Sequence, residues 1–349
     1  MMKRLFTLLL ACWAGMVAVP ALAVADGAAP AKGPISINWY HDQEYFQPVI
    51  DAFTAQTGIP VRVTSDYDIF TTDVITVSDY KGLLEAKHFT HLDKLEPAFV
   101  AEMNKIVPAK WRDVDGRWFG MALRFRTAIV NKNKVPRSEY PKSILDLADP
   151  KWKGRMTQRA SSNVYNRSTL AYIIARYGED KARAWAKGVA ANVAKGGYLN
   201  DVKEALAVSE GKYDIGFMNT YYLGYLRDWY PEDKAMQERL DKNLEVVWLD
   251  ADHGLFANVT GISLSTNLTN GTERYRQAEQ LVAFILSAKG QALMSKHVHK
   301  YPVRSDVEPA ADLRKLGTFK VDDFNVNDLR YHYDLADRIM AESGWESEW

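Results

Sequence analysis

Cysteine is all but missing: of 349 residues, only Cys12 carries a thiol. It lies in an N-terminal stretch where Lys3 and Arg4 precede an apolar run over residues 5–19, followed by Pro20, Ala21, Leu22 and Ala23. Small residues at 21 and 23 form a signal-peptide cleavage pattern, so residues 1–23 read as a cleaved secretory signal. A mature chain beginning after Ala23 has no cysteine, which excludes disulfides, zinc–thiolate sites and thiol catalysis together. The alternative is a lipoprotein site at Cys12, for which the preceding Leu10 is a poor fit. A second long apolar run is also missing, and the first, at about fifteen residues, falls short of the roughly twenty that cross a bilayer. The expected product is therefore exported and soluble, in the periplasm. Excess charge of one sign is lacking too: without Lys3 and Arg4 the 44 basic side chains become 42, against 44 acidic ones. With no long basic run, nucleic acid and membrane surfaces are not expected partners.

Enzyme motifs are equally scarce. The seven histidines form no H-E-x-x-H pattern, and no Gly-rich phosphate loop or nucleophile elbow occurs. His88 and His91 fall beyond a helix end, and His297 and His299, two apart, would face different sides of a helix. The chain is not expected to be an enzyme.

What is present is an alternation of strand and helix patterns. Residues 35–40 alternate as a strand, and 45–57 carry Phe46, Val49, Ile50 and Phe53 at helical spacing, ended by Gly58 and Pro60. Strands at 61–64 and 73–78 and a helix at 80–86 continue a βαβ succession, which predicts a sheet covered by helices. Residues 121–130 form a longer extended run able to pass between lobes. Helical patterns cover 167–177, 180–193 and 201–209. A short buried strand at 213–218 leads straight into a helix at 221–229. A strand at 259–265, helices at 273–287 and 289–297, and a helical tail after Tyr301 complete the chain. Residues 24–34 read as a flexible leader, and the remaining 315 or so suffice for two lobes.

Aromatic residues are abundant, with 18 tyrosines, 10 tryptophans and 13 phenylalanines. In open α/β sheets ligands bind beyond the carboxyl ends of strands, at the starts of the following helices. Tyr221 and Tyr222, after Asn219 and Thr220, occupy such a junction. Glu44 and Tyr45 occupy a second, and the run Ser161, Ser162, Asn163, Val164, Tyr165, Asn166 a third. A lone tyrosine pair also reads as aromatic filler; three junctions that each supply a tyrosine favour a site. Phenolate is a hard anionic donor suited to a hard, highly charged cation such as Fe³⁺. The free phenol has a pKa near ~10, so only such an ion holds it deprotonated at neutral pH.

These residues resemble those of the periplasmic ferric-ion-binding proteins, bacterial counterparts of transferrin. The likeness extends over nearly the whole mature chain. It rests on Tyr40 with Glu44 and Tyr45, Trp118-Phe119-Gly120 leading to Arg124 and Arg126, Pro150-Lys151-Trp152-Lys153-Gly154, the Ser-Ser-Asn-x-Tyr-Asn run at 161–166, Asn219-Thr220-Tyr221-Tyr222, and Tyr301-Pro302-Val303. The resemblance implies an α/β, two-lobed type 2 periplasmic binding protein fold with crossing hinge strands. It implies capture of Fe³⁺, with carbonate or another small anion, by a monomer that serves an inner-membrane ABC transporter permease. Tyr221 and Tyr222 match the family's paired iron tyrosines, Tyr165 a third, and Tyr45 the first-lobe tyrosine of one subgroup. Arg124 resembles the arginine that faces the anion or neutralises the site, with Arg126 as substitute. Ser162, Asn163 and Asn219 stand near anion-holding positions, and Asp79 is a reserve acidic ligand.

Two departures stand out. Glu44 replaces a histidine common just before the first tyrosine, and is expected in or beside the metal site. His41, three residues earlier, is read as too displaced to substitute. The span 64–72 is short, which would widen one cleft wall and admit a chelated ion. The first lobe is expected over 35–124 and 256–302, the second over 125–255 and 303–349. The principal rivals are a binding protein for an organic or anionic solute (phosphonate, sugar phosphate, polyamine) and one for chelated or ferrous iron.

Overall fold

The computed structural model describes residues 33–347 apart from 42, 66–68 and 70. The signal segment and nearly all of the leader lie outside the described residues, as does much of the short 64–72 span.

The strands are β1 (Ile35–Trp39), β2 (Val61–Ser65), β3 (Val74–Val77), β4 (Phe119–Asn131), β5 (Met156–Gln158), β6 (Val193–Tyr198), β7 (Ile215–Asn219), β8 (Leu244–Val247) and β9 (Ala257–Leu264). The helices are α1 (Gln43–Thr57), α2 (Tyr80–His88), α3 (Pro97–Met103), α4 (Val164–Tyr177), α5 (Glu179–Asn192), α6 (Asp201–Ser209), α7 (Tyr221–Trp229), α8 (Lys234–Asn243), α9 (Glu273–Leu286), α10 (Ala288–Val298), α11 (Ala311–Lys315) and α12 (Tyr333–Glu342). The strands run side by side as β2-β1-β3-β9-β4-β7-β5-β6, with β8 also on β4. β1 is parallel to β2 and β3, and β5 to β6 and β7. Strands of such parallel units are covered on both faces by helices. β1 and β7 are accordingly buried at every residue.

β4 joins the two halves. Its first part, through Phe125, lies antiparallel to β9, and from Arg126 onward it lies antiparallel to β7 and β8. Thirteen residues at about 3.3 Å each give a strand of roughly 40 Å, long enough to serve both lobes. The expected long run and the two α/β lobes are therefore present.

Helix starts follow local chemistry. Asn163 accepts from the Tyr165 N–H and opens α4 three residues before the apolar pattern alone suggests. Asn200, Thr272 and Ser287 cap α6, α9 and α10 in the same way. β6, with the sequence VAKGGY, was not expected: two glycines interrupt its alternation, and its pairing with β5 supplies what the pattern lacks. The tail after Tyr301 is partly helical, as expected. α12 buries Tyr333, Ala336, Ile339 and Met340 at helical spacing, and the tail reaches α4 and α5 through the Ser168–Tyr333 hydroxyl pair and the Trp185–Trp345 ring contact.

α7 is pinned by a close approach. His299, with φ of 53°, lies between Asp228 on α7 and Asp312 on α11, each 2.6 Å away. These two carboxylates, working against burial, hold its pKa up to about 9. A Cβ on Gly224 would sit 2.2 Å from the His299 ring. Alanine normally gains up to about 1 kcal/mol over glycine inside a helix, but here the clash reverses the sign. Gly224→Ala should destabilise the protein by about 1–3 kcal/mol, read as a lower urea midpoint at unchanged slope.

Candidate metal centre

The site begins where β7 ends. The Asn219 N–H donates to Asp201 Oδ1 at 2.7 Å, and Asn219 Nδ2 approaches the same oxygen at 3.2 Å. The chain then turns into α7, and Tyr221 and Tyr222 occupy its first turn, with ring centres 4.4 Å apart. Tyr221 Oη donates to Tyr165 Oη at 3.2 Å. Tyr165 comes from the first turn of α4, so two helix starts converge on one cluster of hydroxyls. All three side chains are buried. Burial first, and then the neighbouring tyrosines, push the Tyr221 and Tyr222 phenols well above their ordinary pKa. Both phenols are therefore protonated at neutral pH.

Three guanidinium groups surround this cluster. Arg124, 2% exposed, lies 4.6 Å from the Tyr165 ring centre and is ion-paired with Asp79 at 2.5 Å. Arg159 pairs with the fully buried Asp201 and approaches Tyr222 Oη at 3.4 Å. Arg126 bonds to neutral groups, the Asn166 side-chain oxygen and the Phe217 carbonyl. Arg124 and Arg126, two apart on β4, face the same side. Together with Tyr165, Thr169, Asn219 and Asn258 they line a small cavity. Arg124 Nε and Nη1 and Arg126 Nε are buried without partners among the described residues.

Several expected residues have other employment. Asp79 Oδ1 accepts from the Lys81 N–H at 2.9 Å and Ser168 Oγ at 2.6 Å, while Oδ2 accepts from Arg124 and from Asn258 Nδ2 at 2.9 Å. With both oxygens committed, Asp79 orients Arg124 and has no lone pair facing the tyrosines. Asn163 caps α4, and Ser162 is exposed. The Tyr45 ring meets that of Tyr225 at 5.1 Å and a tilt of 33°.

Glu44 is exposed in the first turn of α1, where a carboxylate favours the helix dipole. It is His41, just before α1, that reaches inward. Its ring lies 5.6, 6.0 and 5.0 Å from those of Tyr221, Tyr222 and Tyr225. Reading His41 as too displaced counted residues along the chain; the β1–α1 turn folds it back over the cluster. Burial first, then Arg124 and Arg159, lower its pKa to about 3, so the imidazole is neutral. Its Nε2 is buried with no partner among the described residues. Lys300 is a further buried group that pattern reading missed. Its Nζ bonds to Tyr40 Oη and Thr260 Oγ1 and lies 5.1 Å from the Tyr221 ring centre, and burial lowers its pKa well below the usual lysine range. Arg159 and Lys300 belong to no motif, and only their cationic character marks them.

No cluster of three His, Cys, Asp or Glu side chains able to hold a metal occurs among the described residues. The oxygen donors gathered at the two helix starts are the tyrosine hydroxyls.

The model of the family described as bacterial extracellular solute-binding protein matches residues 67–326. The iron uptake protein A1 of Synechocystis is 32% identical over 325 residues, covering 89% of this chain and 87% of that protein. The chain belongs to this family of solute-binding proteins. It is a binding protein, not an enzyme, and carries the two-lobed type 2 periplasmic fold with crossing hinge strands. Among solved structures, that of a Trichodesmium protein in complex with iron and citrate superposes with a TM-score of 0.80 at 29% identity, over 90% of this chain and all of that one. The apo ferric ion-binding protein A of Pasteurella haemolytica gives 0.78 at 25%, over 90% and 98%. No helix among the described residues is long and apolar enough to cross a membrane.

The Asp79–Arg124 pair is 1–2% exposed, so removing one partner strands a buried charge. Asp79→Ala should cost about 3–5 kcal/mol, whereas Glu44→Gln, at an exposed position, should change stability by less than about 0.5 kcal/mol. Urea unfolding of the two variants beside the parent measures both.

Proposed function

We propose that this chain captures one ferric ion through the phenolate oxygens of Tyr165, Tyr221 and Tyr222, with Tyr45 closing from α1, and delivers it to an inner-membrane ABC permease. In this reading residues 1–23 direct export to the periplasm and are removed, and the mature protein acts as a monomer. The observation that carries the proposal is the convergence of three buried tyrosines under cationic groups, with Tyr221 and Tyr165 hydroxyls 3.2 Å apart. His41 stands in the place first expected for Glu44, and supplies a neutral nitrogen where Glu44 would have added negative charge.

Four phenolates exceed the charge of Fe³⁺ by one. Arg124 and Arg159 are each offset by a carboxylate, which leaves Arg126 as the balancing cation. The unpartnered guanidinium N–H groups on the cavity suit a small anion such as carbonate, or a carboxylate of an iron chelate. Bicarbonate or citrate should therefore raise ferric affinity, and Arg126→Met should abolish that gain.

The test of the assignment is spectroscopic. Ferric iron should bind one per chain with a visible phenolate-to-iron charge-transfer band, and Tyr221→Phe and Tyr222→Phe should each weaken it. Unchanged bands and affinities in both variants would overturn the reading. Each coordinated phenol must lose a proton, so uptake at pH 7 should acidify an unbuffered solution and affinity should fall as pH falls.

Ligands from α1 on one side and from α4 and α7 on the other imply that residues 35–124 with 256–302 close as one body against 125–255 with the chain from 303. Small-angle scattering should give a smaller radius of gyration with iron than without.

A further inference from the structure

Arg159 lies one residue past β5, outside every motif used so far, yet its guanidinium touches two of the three clustered tyrosines. Nη2 is 3.4 Å from Tyr222 Oη, and Cζ is 5.4 Å from the Tyr165 ring centre and 5.8 Å from that of Tyr222. The group is held from behind. Its Nε donates to Asp201 Oδ2, and Asp201 Oδ1 takes both the backbone and side-chain nitrogens of Asn219. One buried carboxylate therefore fixes both the arginine and the strand end from which Tyr221 and Tyr222 begin. Lysine could not do the same, because only the planar fork offers one edge to Asp201 while another nitrogen points at Tyr222.

The 3.4 Å spacing is that of a guanidinium facing a neutral phenol, at the outer edge of hydrogen bonding. A phenolate oxygen is a stronger acceptor, and charge-assisted N–H···O⁻ bonds close to about 2.7–2.9 Å. The contact thus strengthens in the state with the proton gone and is weak in the state with the proton present.

We infer that Arg159, fixed by Asp201, is a positioning residue for the metal centre: it donates to the Tyr222 phenolate as the cation is bound and draws electron density from that ligand. The inference rests on the ferric reading above and adds a group that stabilises the ligand set without touching the ion. A donor on the phenolate lowers the energy of the electron that moves to iron on light absorption, so removing it should shift the charge-transfer band to longer wavelength. A residue that merely stapled β5 to α6 would alter stability and leave the band position alone.

The experiment loads the parent, Arg159→Lys and Arg159→Met with ferric iron from citrate and records band position and affinity. Arg159→Met should bind about ten- to a hundredfold more weakly, the range for a hydrogen bond to a charged group, with the band displaced to longer wavelength. Arg159→Lys, which keeps a charged donor but without the fork cannot hold Asp201 and Tyr222 together, should place the band between the methionine and parental positions and recover part of the affinity. Where Arg159→Met does not fold because Asp201 is stranded, the double variant Arg159→Met with Asp201→Asn removes both charges together and takes its place. A band at the parental position in the methionine variant overturns the inference, whatever the affinity, and leaves the ferric assignment standing. A parent with no band removes both.

Discussion

One carboxylate ties the halves of this protein together. Asp79 begins α2, receives Arg124 from β4 and Asn258 from β9, and takes the Ser168 hydroxyl from α4. Four elements, two strands and two helices, thus meet on two oxygen atoms at 2% exposure. Buried ion pairs of this kind contribute little net stability compared with an apolar substitute. What this one contributes is a fixed place for Arg124, and through it for the ring of Tyr165, on which the arrangement of the other tyrosines depends.

The same economy recurs around the site. Asp201 serves Arg159 as Asp79 serves Arg124, so two of the three arginines arrive with their charge already offset. Glu204, beneath β7, is fully buried, and burial together with Asp201 raises its pKa well above its ordinary value, which favours the protonated form. The result is a cluster of protonated phenols in nearly neutral surroundings. On the proposed reading, such a cluster gains its binding energy when the phenol protons are exchanged for a multiply charged ion.

Much of the architecture was visible in local pattern. β1, β7 and α1 are apolar at the spacings their geometry requires, and the placement of Tyr221 and Tyr222 just after a buried strand follows from sequence order alone. Tyr165 was legible because it falls in the run at 161–166, rich in small polar residues, just before a helical pattern. The rest depended on contacts between distant segments. Asp201 and Arg159 are 42 residues apart, and nothing local in either distinguishes them from solvated surface charges. His41 and Glu44 show the opposite difficulty. They are close enough in sequence to be exchanged by any reading that counts positions, and only the course of the β1–α1 turn decides which one faces the tyrosines. β6 escaped because Gly196 and Gly197 erase the alternation by which a strand is recognised.

The change of partner along β4 falls between Phe125 and Arg126, with Arg124 and Arg126 on either side of it. When two bodies turn about a shared strand, each group travels in proportion to its distance from the axis. The two arginines therefore sit near the fulcrum, where travel is least, while Tyr45 and His41, carried on the far side of the cleft, sit on the lever. On the proposed ferric reading, the groups that would meet an anion stay almost stationary, and those that would complete the cage around the cation make the long journey. On that reading, opening the jaw would dismantle the coordination of the ion before it disturbed the seat of a counter-ion, an order of release set by geometry.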